Sequence, residues 1–188
     1  MRVIGGKFGS RRLKGPRLLR LRPTSDRLRE TLFNVLGPAV VDCLFVDLYA
    51  GTGAVGIEAA SRGAREVFFV EKHAATARLL RQNLVSLGLD GGGVELVAGD
   101  ALEGLERLAA RRLIADFIFI DPPYDRDDEY ERTLEFIDSS RLLLPISRVV
   151  VEHSVKRELP DRFERIERVR LIEQGDAALS FYRLAAAA

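Results

Sequence analysis

"CLFVDLYAGTGAVGIEAA", residues 43–60, is the stretch that decides the fold. An apolar run ends near Asp47, glycines follow at positions 51, 53 and 56, and small apolar residues then continue. A strand that passes through a glycine-rich turn into a helix is typical of nucleotide-binding α/β folds. The glycines allow a tight turn close to a ligand, and the helix presents free backbone N–H groups to it. The G-x-G-x-x-G spacing alone is a weak signal, because many folds use it.

Short apolar runs and helical patterns alternate through most of the remaining chain. Further strands are predicted at 66–71, 94–100, 116–121 and 148–154, and helices at 53–64, 74–87, 101–112 and 128–138. Residues 164–184 predict two more strands around a hairpin turn at 174–176. Strands that are apolar on both faces and alternate with helices indicate a parallel sheet covered on both sides. The predicted fold is therefore α/β: a doubly wound, mostly parallel seven-stranded sheet with an antiparallel C-terminal hairpin.

A helix whose start and end both have sequence signals is predicted before this alternation. Thr24 or Ser25 can cap its start, and Gly37 followed by Pro38 ends it.

The segment before this helix is strongly basic. Residues 1–29 contain ten Lys or Arg and a single acid, a net charge of +9, so the other 159 residues carry −8. Such a concentration of charge indicates a polyanionic partner. We therefore predict a basic binding arm, residues 1–22, and one folded domain, residues 23–188.

The bulk composition fits a single cytoplasmic domain. The 188 residues are 47% apolar and 30% charged, which suffices for one full core. No apolar run reaches the length of about 18 residues that a membrane span needs, and no apolar block follows the basic N-terminus as in a signal peptide. Cys43 is the only cysteine, which fits a reducing cytosol. We expect a cytoplasmic monomer.

Acidic residues end four of the predicted strands, at Asp47, Glu71, Asp100 and Asp121. Ligands of doubly wound sheets lie outside the carboxyl ends of the strands, near the point where the strand order reverses. Asp47 would repel a pyrophosphate but suits a ligand that carries an ammonium group. Glu71 lies about 20 residues after the glycine turn, where an acid accepts ribose hydroxyls. That role serves a dinucleotide or any other adenosine cofactor equally well.

Two roles are open for Asp100. Its carboxylate can accept a hydrogen bond from an adenine amino group, with the backbone N–H of Ala101 as the matching donor. It can also cap the helix predicted to start at residue 101.

The fourth strand end, "FIFIDPPYD" at residues 117–125, carries the most specific chemistry. Asp121 and the carbonyl of Pro122 can both accept hydrogen bonds from one NH2 group, and the prolines keep these acceptors in place. Two acceptors favour a pyramidal nitrogen whose lone pair is free to attack, and they stabilise its developing positive charge. Tyr124 suits stacking on a splayed-out base. No cysteine or histidine lies nearby, so no metal site is predicted.

Asp47 with "AGTGAVG", Glu71, Asp100 and "DPPY" together resemble the S-adenosylmethionine-dependent amino-methyltransferases. "MRVIGGKFGSRRL", "RPTSDRLRETLFNVL", "DLYAGTGAVGIEAASRGA" and "GDAALSFYRL" are further similar to bacterial 16S ribosomal RNA guanine-N2 methyltransferases of the RsmD type. This resemblance implies a class I methyltransferase sheet, S-adenosylmethionine as cofactor, and methyl transfer to a guanine amine in the small ribosomal subunit. It implies that the methyl group moves directly, with Asp121 or solvent taking the proton.

The resemblance also implies the residues of each site. The implied cofactor site comprises Thr24, Arg27, Asp47, Ala50, Gly51, Thr52, Gly53, Glu71, Lys72, Asp100, Ala101 and Asp121. The implied catalytic corner that holds the base comprises Asp121, Pro122, Pro123 and Tyr124. The implied RNA-binding residues of the arm are Arg2, Lys7, Arg11, Arg12, Lys14 and Arg22.

Several alternatives share parts of this pattern. The same chemistry serves DNA adenine, DNA cytosine and protein glutamine, but the basic arm disfavours a protein, and no separate domain for recognising a DNA sequence is apparent. An NAD-dependent dehydrogenase shares the glycine turn and Glu71 but does not account for Asp47 or "DPPY". A non-catalytic RNA-binding scaffold predicts that Asp121 is dispensable.

Overall fold

The computed structural model of the chain describes residues 1–15, 25–123 and 127–186. A seven-stranded sheet runs through these residues, in the order β3-β2-β1-β4-β5-β7-β6. The strands are β1 (Leu44–Asp47), β2 (Glu66–Val70), β3 (Val94–Val97), β4 (Phe117–Ile120), β5 (Arg148–Ser154), β6 (Ile166–Gln174) and β7 (Ala177–Leu184). Strands β1 to β5 are parallel, and β7 is antiparallel to both β5 and β6. The predicted sheet and its C-terminal hairpin are confirmed.

The strand order reverses between β1 and β4. The chain passes outward from β1 through β2 to β3, and then returns to place β4 on the other side of β1. Asp47 pairs with Phe119 across this boundary, and the N–H of Leu48 donates to the carbonyl of Phe119 at 3.0 Å. This is the position at which a doubly wound sheet binds its ligand.

Two apolar layers cover the sheet because its central strands are buried on both faces. The helices are α1 (Asp26–Leu36), α2 (Ala54–Ser61), α3 (Ala74–Ser86), α4 (Ala101–Ala110) and α5 (Asp127–Ser139). Phe45 and Phe119 point into the layer that contains α1, α2 and α3. Val46 and Ile118 point into the layer that contains α4 and α5. This alternation follows from the two-residue period of a strand.

The predicted helix boundaries hold to within a few residues. Ser25 caps α1, because its Oγ accepts a hydrogen bond from the N–H of Leu28 at 3.1 Å. Gly37 ends α1 with φ of 55°, as the Gly-Pro signal predicted. The third strand ends at Val97 rather than Asp100, and α4 ends at Ala110 rather than 112.

Residues 1–15 of the basic arm fold back on the domain. Val3 and Arg11 are bonded backbone to backbone at 2.9 Å, and an antiparallel bridge joins Arg2 to Arg12. Val3 and Leu13 are buried in the layer with α1 to α3. These residues therefore form a small hairpin, which we call the N-terminal hairpin, and it shares the domain's core.

A buried carboxylate anchors this hairpin to α2. Glu58 accepts hydrogen bonds from the backbone N–H groups of Ile4 at 2.7 Å and Gly5 at 2.8 Å. The hydroxyl of Ser61, one helical turn later, accepts from the N–H of Phe8 at 2.9 Å.

Over the described ranges, no helix is both long and apolar enough to cross a membrane.

Candidate active site

The structure brings the four acidic strand ends to one edge of the sheet. Asp47 ends β1, Glu71 follows β2, and Asp121 follows β4 on the other side of β1. Asp100 comes shortly after β3, the strand beyond β2. Because these four strands are neighbours and parallel, their carboxyl ends form a continuous row along the place where the strand order reverses.

The glycine turn, residues 50–53, leaves free space beside its backbone at Gly51. Gly51 has φ of 55°, and a Cβ added there would meet only the carbonyl oxygen of Tyr49, at 3.9 Å. Gly53 has φ of 83°, and a Cβ added there would lie 2.2 Å from a methyl group of Leu80. Gly53 is therefore required by packing on α3, whereas Gly51 leaves room for a ligand to approach the backbone.

Asp47 is buried directly behind this turn. Its side chain is 1% exposed, and its Oδ2 accepts a hydrogen bond from the N–H of Gly56 at 2.9 Å. Burial raises the pKa of this carboxyl to about 7; the Gly56 N–H acts in the opposite direction, and the neighbouring Glu71 adds to the rise. A ligand cation placed beside Asp47 would favour its ionised form, which fits the predicted ammonium group.

Glu71 holds the turn to the end of β2. Its two oxygens accept from the N–H of Gly51 at 2.8 Å and from the N–H of His73 at 2.7 Å. Burial raises the pKa of Glu71 and outweighs both of these hydrogen bonds. A carboxylate has about four lone-pair positions, so two stay available for the predicted ribose hydroxyls.

Asp100 takes the capping role. Its Oδ1 accepts from the N–H of Leu102, and Glu103 accepts a hydrogen bond from the Asp100 N–H, which completes a capping box on α4. Its Oδ2 pairs with Nζ of Lys72 at 2.9 Å. Partial burial works against ionisation, but the hydrogen bonds from Lys72 and Leu102 outweigh it and lower the pKa. The adenine-binding role of Asp100 and Ala101 stays a prediction.

The predicted catalytic corner follows β4, whose four residues are all buried. Asp121 is half-buried, Pro122 is buried and Pro123 is exposed. Tyr124, the fourth residue assigned to this corner, lies outside the described residues. The buried strand and the buried Pro122 fix the point from which the Asp121 side chain leaves the sheet.

The remaining site predictions fall on the N-terminal part of the chain. Arg27 is exposed on the first turn of α1, while Thr24 and Arg22 lie outside the described residues. The other arm residues are all exposed on the N-terminal hairpin: Arg2, Lys7, Arg11, Arg12 and Lys14.

The sequence patterns missed a buried polar contact between Tyr49, which follows β1, and α5. The hydroxyl of Tyr49 donates to Oε2 of Glu129 at 3.0 Å and shares a hydrogen bond with Oγ1 of Thr133 at 2.9 Å. Burial raises the pKa of Tyr49 above its usual range. Glu129 and Thr133 are four residues apart on α5, so they lie on one face of the helix. That spacing was the only available signal, and it is equally common on solvated helix faces.

The geometry fits S-adenosylmethionine better than a dinucleotide. The open backbone at Gly51 gives close access, and the buried carboxylate of Asp47 suits the positive charge of a methionine amine rather than a pyrophosphate. Glu71 lies on the adjacent strand end, next to Lys72 and Asp100.

This sheet, with its reversed strand order and antiparallel last hairpin, is that of the class I methyltransferases, which use S-adenosylmethionine. The family described as "Conserved hypothetical protein 95" matches residues 1–183. The chain belongs to this family, which is that of ribosomal RNA small subunit methyltransferase D.

Individual relatives agree with this assignment. Ribosomal RNA small subunit methyltransferase D of Escherichia coli K12 is 36% identical over 160 residues, which are 85% of this chain and 78% of that protein. YlbH of Bacillus subtilis, described as a candidate rRNA methyltransferase, is 32% identical over 97% of this chain and 98% of its own length. The solved structure of yhhF from Escherichia coli, described as a candidate methyltransferase, superimposes with a TM-score of 0.82 at 33% identity. It covers 100% of this chain and 99% of its own.

Proposed function

We propose that the protein transfers a methyl group from S-adenosylmethionine to the exocyclic N2 of one guanine in 16S ribosomal RNA of the small subunit. The observation that carries this proposal is the position of the Asp121–Pro122 corner. It follows β4 where the strand order reverses, directly beside Asp47 and the glycine turn on β1. The relatives named as ribosomal RNA methyltransferases support an RNA substrate.

The cofactor is expected to lie along the row of acidic strand ends. Asp47 and the turn from Ala50 to Gly53 would hold its methionine part, bordered by Thr24 and Arg27. Glu71 and Lys72 would face the ribose, and Asp100 with Ala101 the adenine. When bound, the cofactor supplies an electrophilic methyl group that carries its own leaving group, so no nucleophilic side chain is required.

The corner is expected to activate and hold the target amine. Asp121 and the carbonyl of Pro122 accept its two N–H groups, which orients the nitrogen lone pair away from them. Both acceptors stabilise the positive charge that develops on the nitrogen, and its proton leaves to Asp121 or to solvent. Pro123 keeps the corner rigid, and stacking of the base on Tyr124 would contribute roughly 1–3 kcal/mol.

The exposed cations of the arm are expected to bind RNA phosphates. These contacts position the RNA, while the corner reads the base. We place the protein in the cytoplasm as a monomer that acts on ribosomal RNA or on the small subunit, with no metal in the reaction.

Methyl transfer from labelled S-adenosylmethionine tests the proposal. Unmodified small-subunit RNA, small subunits and duplex DNA are offered in parallel to the wild-type protein, Asp121→Ala and Asp90→Ala. Asp90 is an exposed aspartate between α3 and β3, so its variant controls for the loss of a surface charge. We expect N2-methylguanine in ribosomal RNA with the wild type and Asp90→Ala. With Asp121→Ala we expect at least a roughly 100-fold loss of rate, because removal of one positioned group in an active site costs about that much.

Other outcomes would contradict specific parts of the proposal. Label in DNA, or on a different base nitrogen, would keep the chemistry and overturn the substrate. Full activity of Asp121→Ala would remove the corner from the mechanism. Binding of S-adenosylhomocysteine without transfer to any of these substrates would favour the non-catalytic scaffold.

A further inference from the structure

A buried asparagine joins the N-terminal hairpin to the glycine turn of residues 50–53, which we call the cofactor turn because the proposed function places the cofactor there. Asn83 lies on α3 and is 1% exposed. Its Nδ2 donates to the carbonyl of Thr52 at 3.0 Å and to the carbonyl of Lys14 at 3.1 Å. Its Oδ1 accepts from the N–H of Lys14 at 2.9 Å. One side chain thus holds the backbone of both segments.

Both partners lie in segments that bind ligands in the proposed function. Thr52 stands between the two glycines of the cofactor turn, and Lys14 is one of the exposed cations of the arm. Burying an amide is costly unless it is hydrogen-bonded, and an asparagine inside a helix is a poor helix former. Helix formation and apolar packing therefore do not account for an asparagine at this position, whereas the two backbone segments that it joins do.

The same face of α3 contacts the turn a second time. A methyl group of Leu80, one helical turn before Asn83, lies 2.2 Å from the position that a Cβ of Gly53 would take. The hairpin also reaches the turn directly, since Oγ1 of Thr52 is 3.7 Å from the sulfur of Met1. The turn, the hairpin and α3 therefore pack as one unit around Asn83.

We propose that Asn83 is a positioning residue that couples RNA binding at the arm to cofactor binding at the glycine turn. RNA bound to the exposed cations of the hairpin further restrains the Lys14 backbone. The hydrogen bonds of Asn83 to Lys14 and Thr52 transmit this restraint to the carbonyl of Thr52. The cofactor then binds a turn that has already lost part of its freedom, and binds it more tightly. Since coupling is reciprocal, the cofactor raises RNA affinity by the same factor. This inference rests on the proposed function.

The test compares S-adenosylhomocysteine affinity without RNA and with saturating RNA, measured by calorimetry. S-Adenosylhomocysteine is used because it binds without turnover, and the RNA is whichever ribosomal substrate accepts methyl in the transfer assay. For the wild type we expect RNA to raise the affinity about 5-fold, the lower end of typical coupling. We call the affinity with saturating RNA divided by the affinity without RNA the coupling ratio. Asn83→Leu and Asn83→Asp remove the donor to both carbonyls, and we expect their coupling ratio to fall to about 1.

Two controls separate coupling from loss of the arm. Lys14→Ala removes the charge but keeps the backbone hydrogen bonds to Asn83. Its RNA affinity should fall, but at saturating RNA its coupling ratio for S-adenosylhomocysteine should equal that of the wild type. Ser61→Ala loosens the other end of the hairpin, at Phe8 and Gly5, without touching the turn. The coupling ratio of Ser61→Ala should also equal that of the wild type.

Failure of this inference is distinct from failure of the proposed function. A wild type that forms N2-methylguanine, with the same ratio in the Asn83 variants, overturns the coupling alone. Absence of methyl transfer by the wild type overturns the function. If circular dichroism shows that neither Asn83 variant is folded, amide hydrogen exchange of residues 50–56 in the wild type tests the coupling instead. Saturating RNA should slow exchange there without cofactor, and unchanged exchange would refute the coupling.

Discussion

At the scale of single residues, Asp47 combines a buried carboxyl group with a proposed role in cofactor binding. Its carboxylate is nearly inaccessible to solvent, and the backbone N–H of Gly56 donates a hydrogen bond to it. A carboxylate in this environment is held at a cost to stability, because burial disfavours its ionised form. Such a cost is typical of groups that are kept for a ligand rather than for the fold.

Asp47→Asn should raise stability at neutral pH and weaken cofactor binding. The pKa of Asp47 is raised from 3.8 to about 7, so the folded state binds this proton more tightly than the unfolded state. The contribution of Asp47 to stability therefore falls as pH rises from about 4 to about 7. Asparagine still accepts from Gly56 but does not ionise. We expect its advantage to be near zero at pH 4 and about 1–4 kcal/mol at pH 8, at about 1.4 kcal/mol per pKa unit.

Urea denaturation at the two pH values measures this difference. The same variant should bind S-adenosylhomocysteine about 10–100-fold more weakly, since a hydrogen bond to a charged group contributes about 1.5–3 kcal/mol. Asp90→Asn, at an exposed position, is the control and should show neither effect. A pH-independent difference for Asp47→Asn would contradict the assigned burial effect.

At the scale of elements, we expect the contact of Tyr49 with α5 to position the predicted catalytic corner. The corner lies between β4 and α5 in the chain, so we expect its geometry to depend on where α5 begins. Glu129 and Thr133 are buried in the first half of α5, and both are hydrogen-bonded to the hydroxyl of Tyr49, two residues after β1. The segment between β1 and the glycine turn is thereby joined to α5, the helix that follows the corner in the chain.

Tyr49→Phe should lower kcat about 10-fold and leave cofactor affinity within about 2-fold. Loss of the hydroxyl removes a donor from the buried Glu129, which costs about 1–3 kcal/mol, and frees α5 to shift. Small displacements of positioning groups slow an oriented reaction strongly. Methyl-transfer kinetics and calorimetry with S-adenosylhomocysteine measure the two quantities separately.

Tyr182→Phe provides the matched control. The Tyr182 hydroxyl donates to the carbonyl of Pro160 at 2.8 Å, in the segment between β5 and β6. The two variants lose the same group, but only Tyr49 contacts α5 through it. Equal kcat values for both would show that the Tyr49 contact does not position the corner.

At the scale of the whole molecule, the N-terminal segment and the rest of the chain carry net charges of opposite sign. Residues 1–29 carry +9 and the remainder −8. The hairpin presents its cations on the surface while its backbone is fixed by Glu58, Ser61 and Asn83. A fixed array of cations on an acidic body favours a defined RNA orientation, since misplaced phosphates would approach negative charge.

The triple variant Lys7→Ala, Arg11→Ala, Arg12→Ala should weaken RNA binding and reduce its salt dependence. Each phosphate contact to single-stranded RNA contributes about 0.7 to the slope of log affinity against log salt, so the slope should shrink by about 2. Fluorescence anisotropy over a range of salt concentrations measures both effects.

Arg107→Ala, Arg111→Ala, Arg112→Ala removes the same charge from the exposed end of α4 and is the control. An equal loss of slope in both triple variants would indicate a general charge effect rather than binding at the hairpin.

The sequence by itself determined the elements and the positions of the strand-end acids. Strand and helix periods, the Ser25 cap and the turn at 174–176 depend on neighbouring residues, so local patterns predicted them. The placement of Asp47, Glu71 and Asp121 at one edge of the sheet was predictable because parallel strands bring their carboxyl ends together.

Only the tertiary structure decided which buried polar groups meet. Asn83 contacts Lys14 across 69 positions, and Tyr49 contacts Thr133 across 84. In a helical pattern, Asn83 and Glu129 have the same polarity as solvated surface residues, and nothing local distinguishes them. Their burial follows from how α3 and α5 pack on the sheet, and the hydrogen bonds that offset that burial come from segments far away in the chain.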